Sequence, residues 1–122
     1  MSSTLRELSQ MQHAFDSCHG TANRLWSQPI DASSLCVLLE LTVALAGEVG
    51  EFANVSKKIA RGDYSLDGAK PKLESELADV FIYLLKLADQ LGIDLEAAFL
   101  TKLAHNQDRF QSFLMPPRTS TT

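Results

Sequence analysis

Two stretches of this chain carry apolar residues at alternating steps of three and four, the spacing that lines one face of an α-helix. The stripe in the first stretch is Leu41, Leu45, Phe52, Val55 and Ile59, with Glu48 at the remaining position of the same face. The stripe in the second is Leu73, Leu77, Val80, Leu84, Leu87 and Leu91. The pattern predicts two long amphipathic helices, each of which must bury its stripe against another element.

Two further helices flank this pair. Thr4 and Glu7 form a possible capping box at the start of the first helix, and Gly20 is predicted to end it. Asp94 is a favourable N-cap for the last helix, which we expect to end at Met115-Pro116-Pro117. The early stretch from Thr21 to Ser34 is predicted to be irregular, and no strand is expected.

The connection between the two long helices is marked by turn-forming residues. Gly62 suits the C-terminal cap of the second helix, residues 63–69 with Asp67-Gly68 are predicted as a loop, and Pro71 suits the first turn of the third helix. The sequence therefore predicts an all-α four-helix bundle, with one domain over residues 1–114 and a disordered tail over residues 115–122.

Composition limits the function classes. The chain has 122 residues, so we expect one domain, small enough that oligomerisation is favoured. A net charge of −4 disfavours a nucleic-acid-binding surface. The longest apolar stretch, residues 35–46, is too short and too polar to span a membrane. No signal peptide is seen and Cys18 and Cys36 lack CxxC spacing, so we expect a cytoplasmic protein with reduced, buried cysteines.

Each of the two long helices also carries a pair of acidic residues, on or beside its apolar stripe. Glu48 and Glu51 lie three apart on the second helix, Glu76 and Asp79 lie three apart on the third, and such pairs share a helix face. If the helices pack together, four carboxylates converge, and these anions can share a small volume only with a cation. An all-oxygen cluster of this kind suits Mg²⁺ or Mn²⁺.

Each acidic group also has a structural interpretation. Acidic residues most often lie on a solvated helix face, and this interpretation is stronger for Glu51 and Asp79 than for Glu48, which falls on the apolar stripe. Tyr83 and Lys86 continue the acidic face of the third helix, either as cleft residues or as an ordinary helix flank. A ferritin-like di-iron centre is disfavoured because neither motif contains Glu-x-x-His.

Several other residues are candidates for ligand binding. The apolar stripe of the last helix is Leu95, Phe99, Leu103, Phe110 and Phe113. Asn106 falls on this stripe, where it could bond another helix or a ligand, and Lys102 and Arg109 beside it could neutralise phosphate. Trp26 is either a packing residue or a stacking platform for a base. Lys58 lies at the end of the second helix, where basic residues complement the helix dipole.

These motifs resemble those of the all-α nucleoside triphosphate pyrophosphatases, the MazG-like superfamily. The resemblance covers roughly residues 38–110 and is carried by residues 45–52, by residues 76–84, and by residues 92–95 with the later Lys-x-x-x-Asn-x-x-Arg. The dCTP pyrophosphatase-like subgroup also carries Gly-Glu-Val-Gly-Glu. Two positions differ from the family pattern: Gly47 replaces a common Glu, and Lys58 stands where dCTP-type enzymes have a Trp that helps to hold the base.

The resemblance implies Mg²⁺-dependent hydrolysis of a (deoxy)nucleoside triphosphate, with dCTP or a modified pyrimidine as candidates, for nucleotide-pool sanitation. It implies metal ligation by Glu48, Glu51, Glu76 and Asp79, with Glu48 or Glu51 acting on the attacking water. The implied substrate-binding residues are Tyr83, Lys102, Asn106, Arg109, Trp26 and Lys58. Homodimers or homotetramers built from dimers are expected, with no nucleic acid and no membrane as partners.

Two other classes stay open on sequence alone. A non-catalytic helical bundle that binds another protein would be favoured if the acidic pairs faced solvent. A nucleotide-binding protein without turnover could use the same scaffold, although all four acidic positions are filled.

Overall fold

The computed structural model describes residues 3–118 and contains four α-helices, as the sequence predicts. The elements are α1 (Leu5–Ser17), β1 (Gly20–Thr21), β2 (Arg24–Leu25), α2 (Leu35–Ala60), α3 (Leu66–Leu91), α4 (Leu95–Arg109) and a 3₁₀ turn (Gln111–Phe113). The all-α class is confirmed. Within residues 3–118, no helix has both the length and the apolar character needed to cross a membrane.

The helices α2 and α3 form an antiparallel hairpin that holds most of the tertiary packing, and α1 packs across α3. The chain reverses at Gly62, which has φ 88°, a left-handed conformation that glycine adopts without steric cost. The Gly62 N–H donates to the Ile59 carbonyl at 3.0 Å. Because the two helices run side by side in opposite directions, the acidic motif of α2 faces the acidic motif of α3.

The start of α3 corrects one prediction. The loop predicted over residues 63–69 is wrong in its second half, because α3 already begins at Leu66. Ser65 is the N-cap, and its Oγ accepts a hydrogen bond from the Gly68 N–H at 3.0 Å. This side-chain cap outweighs the turn preference of the Asp-Gly pair. Pro71 consequently lies inside the helix and not in its first turn.

A short β-hairpin stands where an irregular stretch without strands was predicted after α1. Gly20, expected to end the helix, instead pairs with Leu25 in this hairpin. The strands approach so closely that a Cβ on Gly20 would lie 2.4 Å from the Arg24 carbonyl oxygen, so only glycine fits. Beyond the hairpin, the Trp26 N–H donates to the His19 carbonyl at 2.9 Å, which fixes the Trp26 backbone.

The last helix differs most from the predicted packing. Asp94 caps α4 as predicted, accepting from the Ala97 N–H at 3.0 Å. The helix ends at Arg109, six residues before the predicted Met115, and contacts the other helices only weakly. None of its residues is buried, and Phe99 on its apolar stripe is 61% exposed. The predicted stripe is therefore shorter than expected, because Phe110 and Phe113 lie beyond the end of α4, and Phe99 and Leu103 on the helix are exposed in one protomer.

Exposure corrects two smaller predictions. The α3 stripe is only partly buried, because the helix packs on α2 along one side and on α1 along another; its members Leu77, Leu84 and Leu91 are exposed. The two cysteines are free, as expected, but exposed instead of buried. Residues 115–118 form no helix or strand and are exposed, while residues 119–122 of the predicted tail lie outside the described residues. The domain boundary at residue 114 stays a prediction.

Candidate metal centre and adjoining cavity

Three of the four predicted acidic residues come together between α2 and α3. One carboxylate oxygen each from Glu48, Glu76 and Asp79 lies within 4.8 Å of the others. All three side chains are half-buried, as the position of Glu48 on its apolar stripe predicts. The three oxygens are close enough to coordinate one cation.

Glu51 lies at the edge of this cluster and is exposed to solvent. Burial raises the pKa of Glu48, and the charges of Glu51 and Asp79 raise it further. Burial likewise raises the pKa of Glu76, followed by the effect of the adjacent Glu51 carboxyl. The four acidic groups thus form one electrostatic unit, in which three converge and the fourth faces water.

Two oxygens of the cluster lack a partner. Glu48 Oε2 and Glu76 Oε2 are buried and accept no hydrogen bond from any described residue. None of the ion pairs within residues 3–118 involves either carboxylate. Burying a carboxylate without a donor or a counterion is costly, so a bound divalent cation would offset the charge. The all-oxygen donor set fits the preferences of Mg²⁺ and Mn²⁺.

A cavity of about 580 Å³ lies in the α2–α3 groove next to the cluster. It begins at Tyr83, one helical turn beyond Asp79, and extends to Gln90. Trp26, which follows the β-hairpin, forms part of its wall and is 44% exposed. The volume is typical of small-molecule sites, and the lining combines apolar residues with a few polar groups. Tyr83 and Trp26 therefore lie together, as their predicted role in substrate binding requires.

The other predicted substrate-binding residues lie elsewhere in the protomer. Lys102, Asn106 and Arg109 are on α4, outside the cavity lining. Lys58 is near the α2–α3 turn, where its Nζ lies 5.6 Å from the centroid of the Tyr64 ring. One protomer does not bring these four residues to the acidic cluster, and their roles stay predictions.

Sequence reasoning missed three polar residues of this region: Asp16 of α1, Glu40 of α2 and Gln90 of α3. Glu40 and Gln90 line the cavity, and Asp16 lies behind its wall against Lys86. None of them belongs to a motif. The one feature of the sequence that could have indicated a site is the carboxylate of Glu40 inside the longest apolar stretch.

Comparison with known proteins adds to this geometry. The sequence profile of the MazG nucleotide pyrophosphohydrolase domain matches residues 38–112. Human dCTP pyrophosphatase 1 (Homo sapiens) is 38% identical over 78 residues, which are 61% of this chain and 46% of that protein. The rat protein (Rattus norvegicus) of the same name is 36% identical over 74 residues, 57% of this chain and 44% of its own length.

A viral protein is similar over more of its length. Gene 37 protein of Mycobacterium phage L5 is 38% identical over 87 residues, which are 65% of this chain and 74% of that protein. The match to the human and rat dCTP pyrophosphatases, by contrast, spans less than half of their length. No solved structure is significantly similar to the chain.

Proposed function

The chain belongs to the MazG nucleotide pyrophosphohydrolase family, and from this premise we propose that it hydrolyses a nucleoside triphosphate to the monophosphate and pyrophosphate. One observation carries the proposal: Glu48, Glu76 and Asp79 converge within 4.8 Å, and two of their buried oxygens have no partner among the described residues. A cluster so costly without a cation is the arrangement expected of a metal-dependent phosphate site.

In this proposal Glu48, Glu76 and Asp79 hold Mg²⁺, or Mn²⁺ in its place. A bound ion would neutralise charge on the phosphates and would lower the pKa of a nearby water. Glu51 is exposed at the edge of the converging trio, and we assign its carboxylate the role of proton acceptor. Glu51 takes the proton of the water that attacks the α-phosphorus, the bond from that phosphorus to the bridging oxygen breaks, and pyrophosphate leaves.

The nucleoside is proposed to occupy the cavity beside the cluster. Tyr83 lies one turn from Asp79 and would contact the sugar, and the exposed part of the Trp26 ring would contact the base. The relatives named as dCTP pyrophosphatases make dCTP or a modified pyrimidine nucleotide the first candidates for the substrate. Removal of an unwanted nucleotide from the cellular pool would be the corresponding role.

We also propose a homodimer or a homotetramer built from dimers. The apolar stripe of α4 is uncovered within one protomer, and large apolar residues of α2 and α3 are exposed as well. In such an assembly α4 of one subunit could bring Lys102, Asn106 and Arg109 to a site on another subunit. Their positive charge and the amide would then contact the phosphates.

A product assay tests the proposed function. The eight common ribo- and deoxyribonucleoside triphosphates and several modified pyrimidine nucleotides are incubated with the protein and Mg²⁺ or Mn²⁺. We expect at least one to yield monophosphate and pyrophosphate in equal amounts, and no turnover in excess chelator. Orthophosphate as the product would contradict the proposed reaction, and the absence of turnover with every nucleotide would favour a binding protein.

Replacing Trp26 with Ala is expected to raise KM by about 10-fold while kcat changes little. Stacking of a base on an aromatic side chain contributes about 1–3 kcal/mol, and the contact lies away from the reacting phosphate. Steady-state kinetics on the preferred nucleotide measure the effect. Trp26→Phe keeps an aromatic surface and should retain most of the affinity. An unchanged KM in the Trp26→Ala variant would show that the base does not bind in this part of the cavity.

A further inference from the structure

A charged pair with little exposure lies in the cavity wall, one turn beyond Tyr83 along α3. Lys86 Nζ donates to Asp16 Oδ1 at 2.7 Å, and the two side chains are only 12% and 2% exposed. Gln12 Nε2 donates to the same oxygen at 3.0 Å. The cavity wall therefore contains an ammonium group that is held in place by a carboxylate behind it.

Such a pair needs a reason beyond stability. The free energy needed to remove two charges from water is about as large as their attraction in the interior. Replacing a buried ion pair with apolar residues of equal volume therefore often leaves protein stability unchanged or raises it. Lys86 lies seven residues beyond Asp79 on α3, about 10 Å along the helix. If the α-phosphate lies at the acidic cluster and the sugar at Tyr83, the base lies beside Lys86.

The surroundings of Lys86 favour contact with a base. Its Nζ lies 4.9 Å from the centroid of the Trp26 ring, the proposed aromatic contact of the base. An ammonium group has three N–H donors and no acceptor, and Asp16 takes one of them. Arg24, the other cation of the cavity wall, is engaged, because its Nη2 donates to two backbone carbonyls of the adjacent loop at 2.7 and 3.3 Å.

Gln90 supplies a second polar group one turn further along α3. Its side chain belongs to the cavity lining and is 4% exposed. Its Oε1 has no hydrogen-bond donor among residues 3–118. A buried acceptor without a donor is costly, and rotation of the Gln90 side chain toward the cavity would let an N–H on the edge of a base satisfy it.

We infer that Lys86, positioned by Asp16, selects the base by donating a hydrogen bond to a ring carbonyl oxygen. Cytosine, uracil, thymine and guanine carry such an oxygen and adenine does not. Adenine has no ring carbonyl oxygen, so it would meet the ammonium group only with a ring nitrogen, which does not project from the ring as a carbonyl oxygen does. This inference rests on the proposed function, and it predicts that adenine nucleotides are the poorest substrates.

The experiment compares kcat/KM for dCTP, dTTP, dGTP and dATP in the wild type and in the double variant Asp16→Asn, Lys86→Met, which removes both charges together. For the wild type we expect kcat/KM to be about 10-fold or more lower with dATP than with the other three nucleotides. The loss of one hydrogen bond to a charged group weakens binding by about this factor. In the double variant, kcat/KM should fall about 10- to 100-fold for the nucleotides whose base has a ring carbonyl, mostly because KM rises. Its kcat/KM for dATP should stay within about twofold of the wild-type value.

Three further variants test how Lys86 acts. Lys86→Arg keeps a donor and should preserve the order of preference. Asp16→Asn alone should weaken the preference, because the ammonium group loses its anchor. Lys70→Met changes an exposed lysine of the same helix and should alter neither the preference nor the rates. Circular dichroism of each variant checks that its helices are intact.

The outcomes separate this inference from the proposed function. A wild type that hydrolyses all four nucleotides equally would overturn the role of Lys86 while leaving the proposed function standing, and this result needs no variant to fold. An equal loss on all four bases in a folded double variant would also overturn it and assign the pair to structure. Absence of pyrophosphate release from every nucleotide would contradict the proposed function itself.

Discussion

Glu48→Gln is expected to lower turnover at least about 100-fold. Replacing a residue that only hydrogen-bonds to a metal ligand can already lower activity by about 100-fold, and Glu48 is proposed to be a ligand itself. A neutral amide is a poor ligand for a hard divalent cation. The substitution keeps the size and shape of the side chain, so the loss would come from the missing charge. Turnover on the preferred nucleotide and Mg²⁺ titration of the protein measure the effect.

The same variant should keep or raise the melting temperature of the metal-free protein. The pKa values of Glu48 and Glu76 lie above their ordinary value of 4.5, because burial and neighbouring carboxylates disfavour the charged forms. Carboxyls with a raised pKa stabilise the fold below pH 4.5, and this stabilisation is lost as the pH rises through the raised pKa. Glu48→Gln removes one of these anions, so its metal-free melting temperature should depend less on pH than that of the wild type.

Glu74→Gln is the matched control. Glu74 lies on α3 two residues before Glu76, is exposed, and belongs to neither the cluster nor the cavity lining. It should retain near-normal turnover and a similar melting temperature. Glu40, an acidic residue outside both motifs on α2, is unsuitable because it lines the cavity. Near-normal turnover in Glu48→Gln, or a larger loss of metal-free stability than in Glu74→Gln, would mean that Glu48 is structural.

The features that the sequence predicts correctly depend on neighbours along the chain. The Asp94 cap, the turn at Gly62 and the helical character of α2 and α3 follow from local spacing and local hydrogen bonds. The partial burial of Glu48 also follows, because its position on an apolar stripe fixes which way it points. The convergence of Glu48 with Glu76 needed one further assumption, that adjacent helices joined by a short turn pack together.

Most of the features that the sequence does not predict depend on partners that are distant along the chain. Asp16 and Lys86 are 70 residues apart, and no local pattern indicates that α1 crosses α3 at that point. The stripe on α4 indicates that one face must be buried but does not name the surface that covers it. The start of α3 was missed for a local reason: a serine cap and an Asp-Gly turn compete over the same residues, and their sequence does not decide between them.

We expect the protein to be a dimer or a dimer of dimers, and we expect it to dissociate when lysines replace Phe99 and Leu103 on α4. In an isolated protomer these side chains are 61% and 41% exposed. Lysine at exposed positions usually changes the free energy of unfolding by no more than about 0.5 kcal/mol. In an interface each lysine would be an unpaired buried charge, which costs about 3–5 kcal/mol, enough to weaken association more than about 100-fold.

Light scattering at micromolar concentration gives the molar mass of the wild type and of the double variant Phe99→Lys, Leu103→Lys. The control is Thr101→Lys, which adds a lysine to the opposite face of α4. The control should keep the wild-type mass and turnover, whereas the double variant should become monomeric with its helices retained. If α4 supplies Lys102, Asn106 and Arg109 to a neighbouring subunit, dissociation also removes turnover, although the acidic cluster is untouched in each protomer. A monomeric wild type would contradict the proposed assembly, and so would a double variant of unchanged mass. A monomeric double variant with full turnover would instead restrict the active site to residues of one subunit, because the phosphates would then need no contact from α4 of a partner.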